Sequence, residues 1–135
     1  MRIVLDTNVF VSGIFWEGNF CSQIINEWKM GRFQLISSPK IVEELVETFR
    51  SFKISMDEDL IDEWKNLIIE NSVMVNPIAN IKAVKDDSKD DKFIEAAVEG
   101  DADYIVSQDN HLLNLKEFNG IKILTPEEFL GVLRR

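Results

Sequence analysis

An α/β fold built on a parallel sheet is what this sequence predicts, and three observations predict it. Short apolar runs alternate with stretches of helical periodicity, the order that βα units impose. Two of the runs, Ile3-Val4-Leu5 and Tyr104-Ile105-Val106, lead into polar turns carrying Asp6 and Asp109. Four carboxylates, Asp6, Glu44, Asp91 and Asp109, fall where a strand meets its loop or on an early helix turn, where such a fold gathers groups at one rim of its sheet.

The elements follow in order. Ile3-Val4-Leu5 reads as a buried strand ending in the polar loop Asp6-Thr7-Asn8. After Gly18, Phe20, Ile24, Ile25 and Trp28 recur at helical spacing, and Gly31 supplies a stop. Phe33, Leu35 and Ile36 form a second strand. Ser38-Pro39 is a capping side chain followed by proline at the first helical position, and Ile41, Leu45, Phe49 and Phe52 continue one face of the helix it opens. Ser55 with Glu58 reads as a capping box for a further helix through Leu60, Ile61, Trp64, Leu67 and Ile68. Val73-Met74-Val75 is a short strand before Pro77. The charged stretch from Lys85 to Lys92 leads into a compact helix over Phe93, Ile94, Ala96, Ala97 and Val98, ended by Gly100. Tyr104-Ile105-Val106 and Ile121-Lys122-Ile123-Leu124 are the remaining strands. Thr125-Pro126-Glu127-Glu128 combines a capping box with a first-turn proline to open the terminal helix.

Composition bounds the function. With 135 residues, 45% apolar and 29% charged, the chain is expected to be one domain, 1–135, with a real core. No apolar run approaches the roughly 20 residues that span a bilayer, and the first residues enter a strand pattern without signal-peptide architecture, so a cytoplasmic protein with no membrane partner is expected. Cys21 is the only cysteine and His111 the only histidine, which removes a disulfide framework, a structural zinc site and a Cys-His nucleophile pair. Cys21 reads as core and His111 as a surface or capping residue. The net charge of −9 argues against nucleic-acid binding through a broad basic surface, but not against a nuclease, because a metal ion reverses the field of a carboxylate cluster.

The carboxylates carry the chemistry. Strand ends of a parallel sheet reach one rim, so Asp6 and Asp109 are expected to approach each other, joined from helices by Asp91 and by Glu43 or Glu44, between which periodicity does not choose. Oxygen ligands suit Mg²⁺ or Mn²⁺, and the matching chemistry is phosphodiester hydrolysis by a metal-activated water. Thr7, Asn8 and Ser107 stand beside the two strand-end aspartates, placed to orient ligands, waters or a phosphate. A phosphatase of the aspartyl-nucleophile kind would want a second aspartate two residues after Asp6, where Asn8 stands.

Val4-Leu5-Asp6-Thr7-Asn8-Val9, Ser38-Pro39 leading to Glu43-Glu44-Leu45, Asp90-Asp91-Lys92-Phe93-Ile94-Glu95-Ala96-Ala97 and Asp103-Tyr104-Ile105-Val106-Ser107-Gln108-Asp109, in that order, resemble the PIN-domain family. The nearest branch is that of the VapC-type ribonucleases, the toxin components of toxin-antitoxin systems. The resemblance runs the length of the chain, to Leu124-Thr125-Pro126-Glu127-Glu128-Phe129. It implies a mostly parallel sheet sandwiched by helices, and a Mg²⁺- or Mn²⁺-dependent endoribonuclease that cleaves single-stranded RNA to leave a 5′-phosphate and a 3′-hydroxyl. By position it implies Asp6, Glu44, Asp91 and Asp109 as catalytic metal ligands, with Glu44 chosen because it directly precedes leucine, and with Asn8 and Ser107 as their polar companions. Many VapC-type proteins carry a further acid shortly after the fourth, where this chain has His111. A homodimer and a small antitoxin whose tail blocks the acidic cleft are also implied.

A catalytically silent RNA-binding or regulatory module of the same fold is the alternative. In either case RNA must be held by local basic groups, and Arg32, Lys40, Lys89 and Lys92 lie near the motifs in sequence.

Overall fold

The computed structural model describes residues 1–52, 56–84 and 88–135. Its central strand is β1 (Arg2–Leu5), with Val4 facing one layer of the core and Ile3 and Leu5 the other, so both faces of the sheet are covered. On one side β1 pairs in parallel with β2 (Gln34–Ser37), which pairs in parallel with β3 (Ser72–Met74). On the other side it pairs in parallel with β4 (Tyr104–Val106), and β4 with β6 (Ile121–Leu124). The two-residue edge strand β5 (Glu117–Phe118) is antiparallel to β6, giving the order β3-β2-β1-β4-β6-β5. The chain moves outward from β1 in one direction and later returns to its other side, so β1 and β4 flank a topological switch point.

Seven helices complete the α/β architecture among the described residues. On the face of Ile3, Leu5, Leu35 and Val106 lie α1 (Thr7–Phe15), α2 (Phe20–Lys29), α3 (Pro39–Ser51), α4 (Glu58–Glu70) and α7 (Pro126–Leu133). The opposite face, with Val4, Ile36, Ile105 and Ile123, is covered by α5 (Asp91–Glu99) and the short α6 (Asn110–Leu113). Most elements coincide with the sequence expectations. Ser38 caps α3 by accepting the Ile41 N–H, and at α7 both capping-box bonds form between Thr125 and Glu128. The expected capping box at Ser55 lies outside the described residues. Among those described, Asp57 caps α4, accepting the Asp59 N–H at 3.1 Å. Lys85, Asp86 and Asp87 of the charged stretch also lie outside, and Ser88–Asp90 form a 3-10 turn that feeds α5.

Two elements differ from expectation. β5 is too short to leave a periodic signature. At α1, the polar Asp6-Thr7-Asn8 reads as a loop, and the β-branched Val9, Val11 and Ile14 with Gly13 lower helix propensity, so tertiary packing decides. At Gly13 α1 and α2 pack tightly: a Cβ there would stand 2.7 Å from the Cys21 carbonyl oxygen. Gly13→Ala should therefore lower stability by about 1–2 kcal/mol despite alanine's better helix propensity, because backbone must move to admit the methyl. A thermal melt checks this as a drop of several degrees.

Candidate metal centre at the sheet rim

Asp6 follows the last residue of β1, and its backbone N–H donates to the Val106 carbonyl at 2.9 Å, extending the β1–β4 pairing to the rim of the sheet. It occupies the N-cap position of α1, yet its side chain does not cap that helix. Instead the carboxylate turns toward the strand pair, where Ser107 Oγ donates to Oδ2 at 2.6 Å. Asp6 is 4% exposed. Burial pushes its pKa from the ordinary 3.8 up to about 6 against the Ser107 hydrogen bond, and the negative charges of Glu44 and Asp109 push the same way.

Ser107, fully buried, ties the two strand ends together. Its N–H donates to the Leu124 carbonyl of β6 at 3.0 Å, and its Oγ accepts the Asp109 N–H at 2.9 Å while donating to Asp6. Asp109 caps α6 by accepting the His111 N–H at 2.9 Å. Asn8 Oδ1 accepts the Gln108 N–H at 3.3 Å, tying the first turn of α1 to the 107–109 turn. Thr7 Oγ1 is buried without a hydrogen-bond partner among the described residues.

The geometry then gathers Asp109 with two further groups. One donor atom from each of Asp90, Asp109 and His111 lies within 4.8 Å of the others, with His111 Nδ1 3.8 Å from Asp109 Oδ1. Two carboxylates and an imidazole at that separation, next to a buried carboxylate, are a donor set suited to a divalent cation. A protein-family model described as PIN domain matches residues 2–111. The chain belongs to the PIN-domain family. PIN domains are generally metal-dependent nucleases, and the group at the rim fits that chemistry. No curated protein sequence matches the chain. No helix among the described residues is long and apolar enough to cross a membrane.

Within this PIN domain the sequence-derived residues divide. Asp6, Glu44 and Asp109 lie close enough for the latter two to act on the charge of Asp6. Of the adjacent glutamates, Glu44 is half-buried and Glu43 exposed, and Glu44 alone is paired with Lys92. Asp91 lines the same cleft as Glu44, and one of its oxygens holds backbone. Its Oδ1 accepts the backbone N–H groups of Ala83 at 3.0 Å and Val84 at 2.8 Å. One and two helical turns on, Glu95 accepts the Ile81 N–H at 3.0 Å and Glu99 the Ile78 N–H at 3.2 Å. Three acids at i, i+4 and i+8 on α5 thus strap down the extended segment 78–84. It is Asp90, one residue earlier and buried, that stands with Asp109 and His111. The sequence separates the two aspartates poorly because both sit at a helix start. The spacing to the buried pair Phe93 and Ile94 carries the signal, but reading it requires knowing that a 3-10 turn precedes α5.

His111, expected at the surface or as a cap, is exposed but belongs to the donor group. A cleft of about 790 Å³ opens beside Glu44 and Asp91, and Lys40, Lys82, Lys89 and Lys92 line it. Arg32, by contrast, precedes β2 and so lies toward the opposite rim of the sheet.

The raised pKa of Asp6 has a measurable sign. Neutral Asp6 favours the fold, so its contribution is complete below about pH 3.8 and is lost as pH rises through about 6. In chelator, Asp6→Asn should therefore gain on the wild type between pH 4 and pH 7.5 by on the order of 2 kcal/mol. Denaturant melts of both proteins at the two pH values check this.

Proposed function

We propose that residues 1–135 act as a metal-dependent endoribonuclease on single-stranded RNA. The observation that carries this reading is the buried Asp6 carboxylate, held by Ser107 at the switch point instead of capping its helix, with the charges of Glu44 and Asp109 acting on it and Asp90 and His111 grouped with Asp109. A buried acid kept from its usual cap and surrounded by like charges costs folding energy, and a cation offsets that cost.

In this reading Asp90, Asp109 and His111, with Asp6 and Glu44 near them, would hold the ion. The chemistry a divalent ion would supply there is a lowered water pKa and an offset to phosphate charge. Ser107 fixes the Asp6 carboxylate and, through its bond from the Asp109 N–H, the start of α6. Asn8 holds the 107–109 loop against the start of α1, and the Thr7 hydroxyl is available to an incoming polar group. Asp91, with Glu95 and Glu99, supports the wall of the cleft rather than the ion. The lysines of that cleft give phosphates a local positive lining in a chain of net charge −9. Mg²⁺ or Mn²⁺ is the proposed cofactor, and the His111 nitrogen favours Mn²⁺, since imidazole suits transition ions better than Mg²⁺. The VapC-type resemblance extends the proposal to a toxin role in the cytoplasm, with a homodimer and a cognate antitoxin.

Cleavage of a labelled single-stranded RNA should require Mn²⁺ or Mg²⁺ and stop in EDTA. Asp6→Asn and Asp90→Asn should each lower the rate by about 100-fold or more, and Asp91→Asn by roughly tenfold at most. Loss confined to Asp91→Asn would return the third ligand to that residue. RNA binding by a folded wild type that fails to cleave with either metal would instead mark a silent binding module.

Ion preference is a separate measurement. The wild type should be about tenfold more active with Mn²⁺ than with Mg²⁺, and His111→Asp, which makes the donors all oxygen, should narrow that gap. An unchanged ratio would remove His111 from the ligand set.

A further inference from the structure

The lysine that pairs with Glu44 is not among the ligands assigned to the ion. Lys92 is the second residue of α5, and its Nζ bonds both the Glu44 carboxylate and the Lys89 carbonyl. The same ammonium lies 5.3 Å from the centroid of the Phe93 ring. Only 13% of the Lys92 side chain is exposed, against 33% for Glu44, so this cation is held in place rather than trailing in water.

Its position matters because of where Glu44 stands. Glu44 is close enough to add to the charge felt by Asp6, so the cation paired with Glu44 lies in the electrostatic neighbourhood of Asp6, and Glu44, Asp91 and Lys92 line one cleft. We propose that the Lys92 ammonium is a resident cation of this site, filling the place beside Glu44 that a second divalent ion would otherwise take, so that the protein holds one metal ion per chain. The inference rests on the reading of the rim as a metal centre.

Charge balance supports one ion. Asp6, Glu44, Asp90 and Asp109 supply four carboxylates and Lys92 one ammonium. A single divalent ion with the ammonium offsets three of these four negative charges, whereas a second divalent ion at Glu44 would have to sit against a fixed, partly buried ammonium, and that like-charge contact is unfavourable. Lys92 also lines the lysine-bearing cleft, so its charge faces the side from which a phosphate strand would approach. A fixed ammonium there can meet phosphate charge without the affinity and exchange limits of a loosely bound metal.

Binding of Mn²⁺ to the full chain, followed by the electron paramagnetic resonance signal of the free ion and without RNA, tests the proposal. The wild type should bind one Mn²⁺ per chain. Lys92→Met should admit a second ion, its Kd at least about tenfold below that of any second event in the wild type, and Lys92→Arg should restore a single ion. A cation needed only for folding would give no such gain in Lys92→Met and no such restoration. Two ions of similar affinity in the wild type would overturn the inference, a result that needs no variant to fold. So would a Lys92→Met protein with unchanged stoichiometry and affinities, while leaving the metal centre itself standing. No Mn²⁺ bound by the wild type, or binding that survives Asp6→Asn combined with Asp90→Asn, would overturn the metal centre and this inference together.

Discussion

The parallel pairing of β1 with β4 is the constraint on which the rest of this molecule depends. It sets Leu5 opposite Val106, continues through the Asp6 N–H to the Val106 carbonyl, and so delivers Asp6 and Ser107 to the same point on the rim from positions 101 residues apart. A register slip of one residue would send the apolar side chains of β1 to the wrong faces, so the core on both sides of the sheet fixes the register. The precision of the rim is therefore inherited from burial of Ile3, Val4, Leu5, Ile105 and Val106, each exposed by 1% or less. With so little freedom below it, the Ser107 hydroxyl can serve Asp6 and Asp109 at once.

A second support comes from α5. Its acids Asp91, Glu95 and Glu99 accept backbone N–H groups of the segment 78–84, which satisfies donors that would otherwise need a neighbouring strand. That arrangement fixes one wall of the cleft and leaves Asp90, one residue earlier, directed toward Asp109 and His111. Adjacent aspartates at one helix start thus meet different neighbours, Asp90 grouped with Asp109 and His111 and Asp91 accepting the backbone of Ala83 and Val84.

Electrostatics ties these parts to activity. Within the PIN-domain family, metal-dependent nuclease chemistry needs carboxylates kept close together, and closeness is unfavourable in a folded protein without a counter-ion. Here the stress appears at Asp6, whose acidity is weakened by burial and by Glu44 and Asp109, and is relieved in part at Glu44 by Lys92. The site is thus strained by charge rather than by backbone, since among the described non-glycine residues the positive φ angles fall at Asp101, Lys116 and Asn119, outside the residues that form it.

Sequence by itself determined the α/β class, the positions of the strands that carry Asp6 and Asp109, and the caps at Ser38 and Thr125, because periodicity, caps and prolines act over a few residues and leave a local imprint. It also marked the family, through short patterns whose spacing reflects those same elements. Tertiary structure alone decided α1, where packing against α2 at Gly13 overrides weak propensity, and it alone gives Asp90 and Asp91 their different neighbours. It likewise brought His111 to Asp90 and Asp109 and Lys92 to Glu44, since neither a lone histidine nor a lysine at a helix start carries a local sign of its neighbours. The physical reason at both helix starts is the same: a side chain's direction there is set by the turn before it and by what the opposite strand brings within reach, and neither is written in the few residues around it.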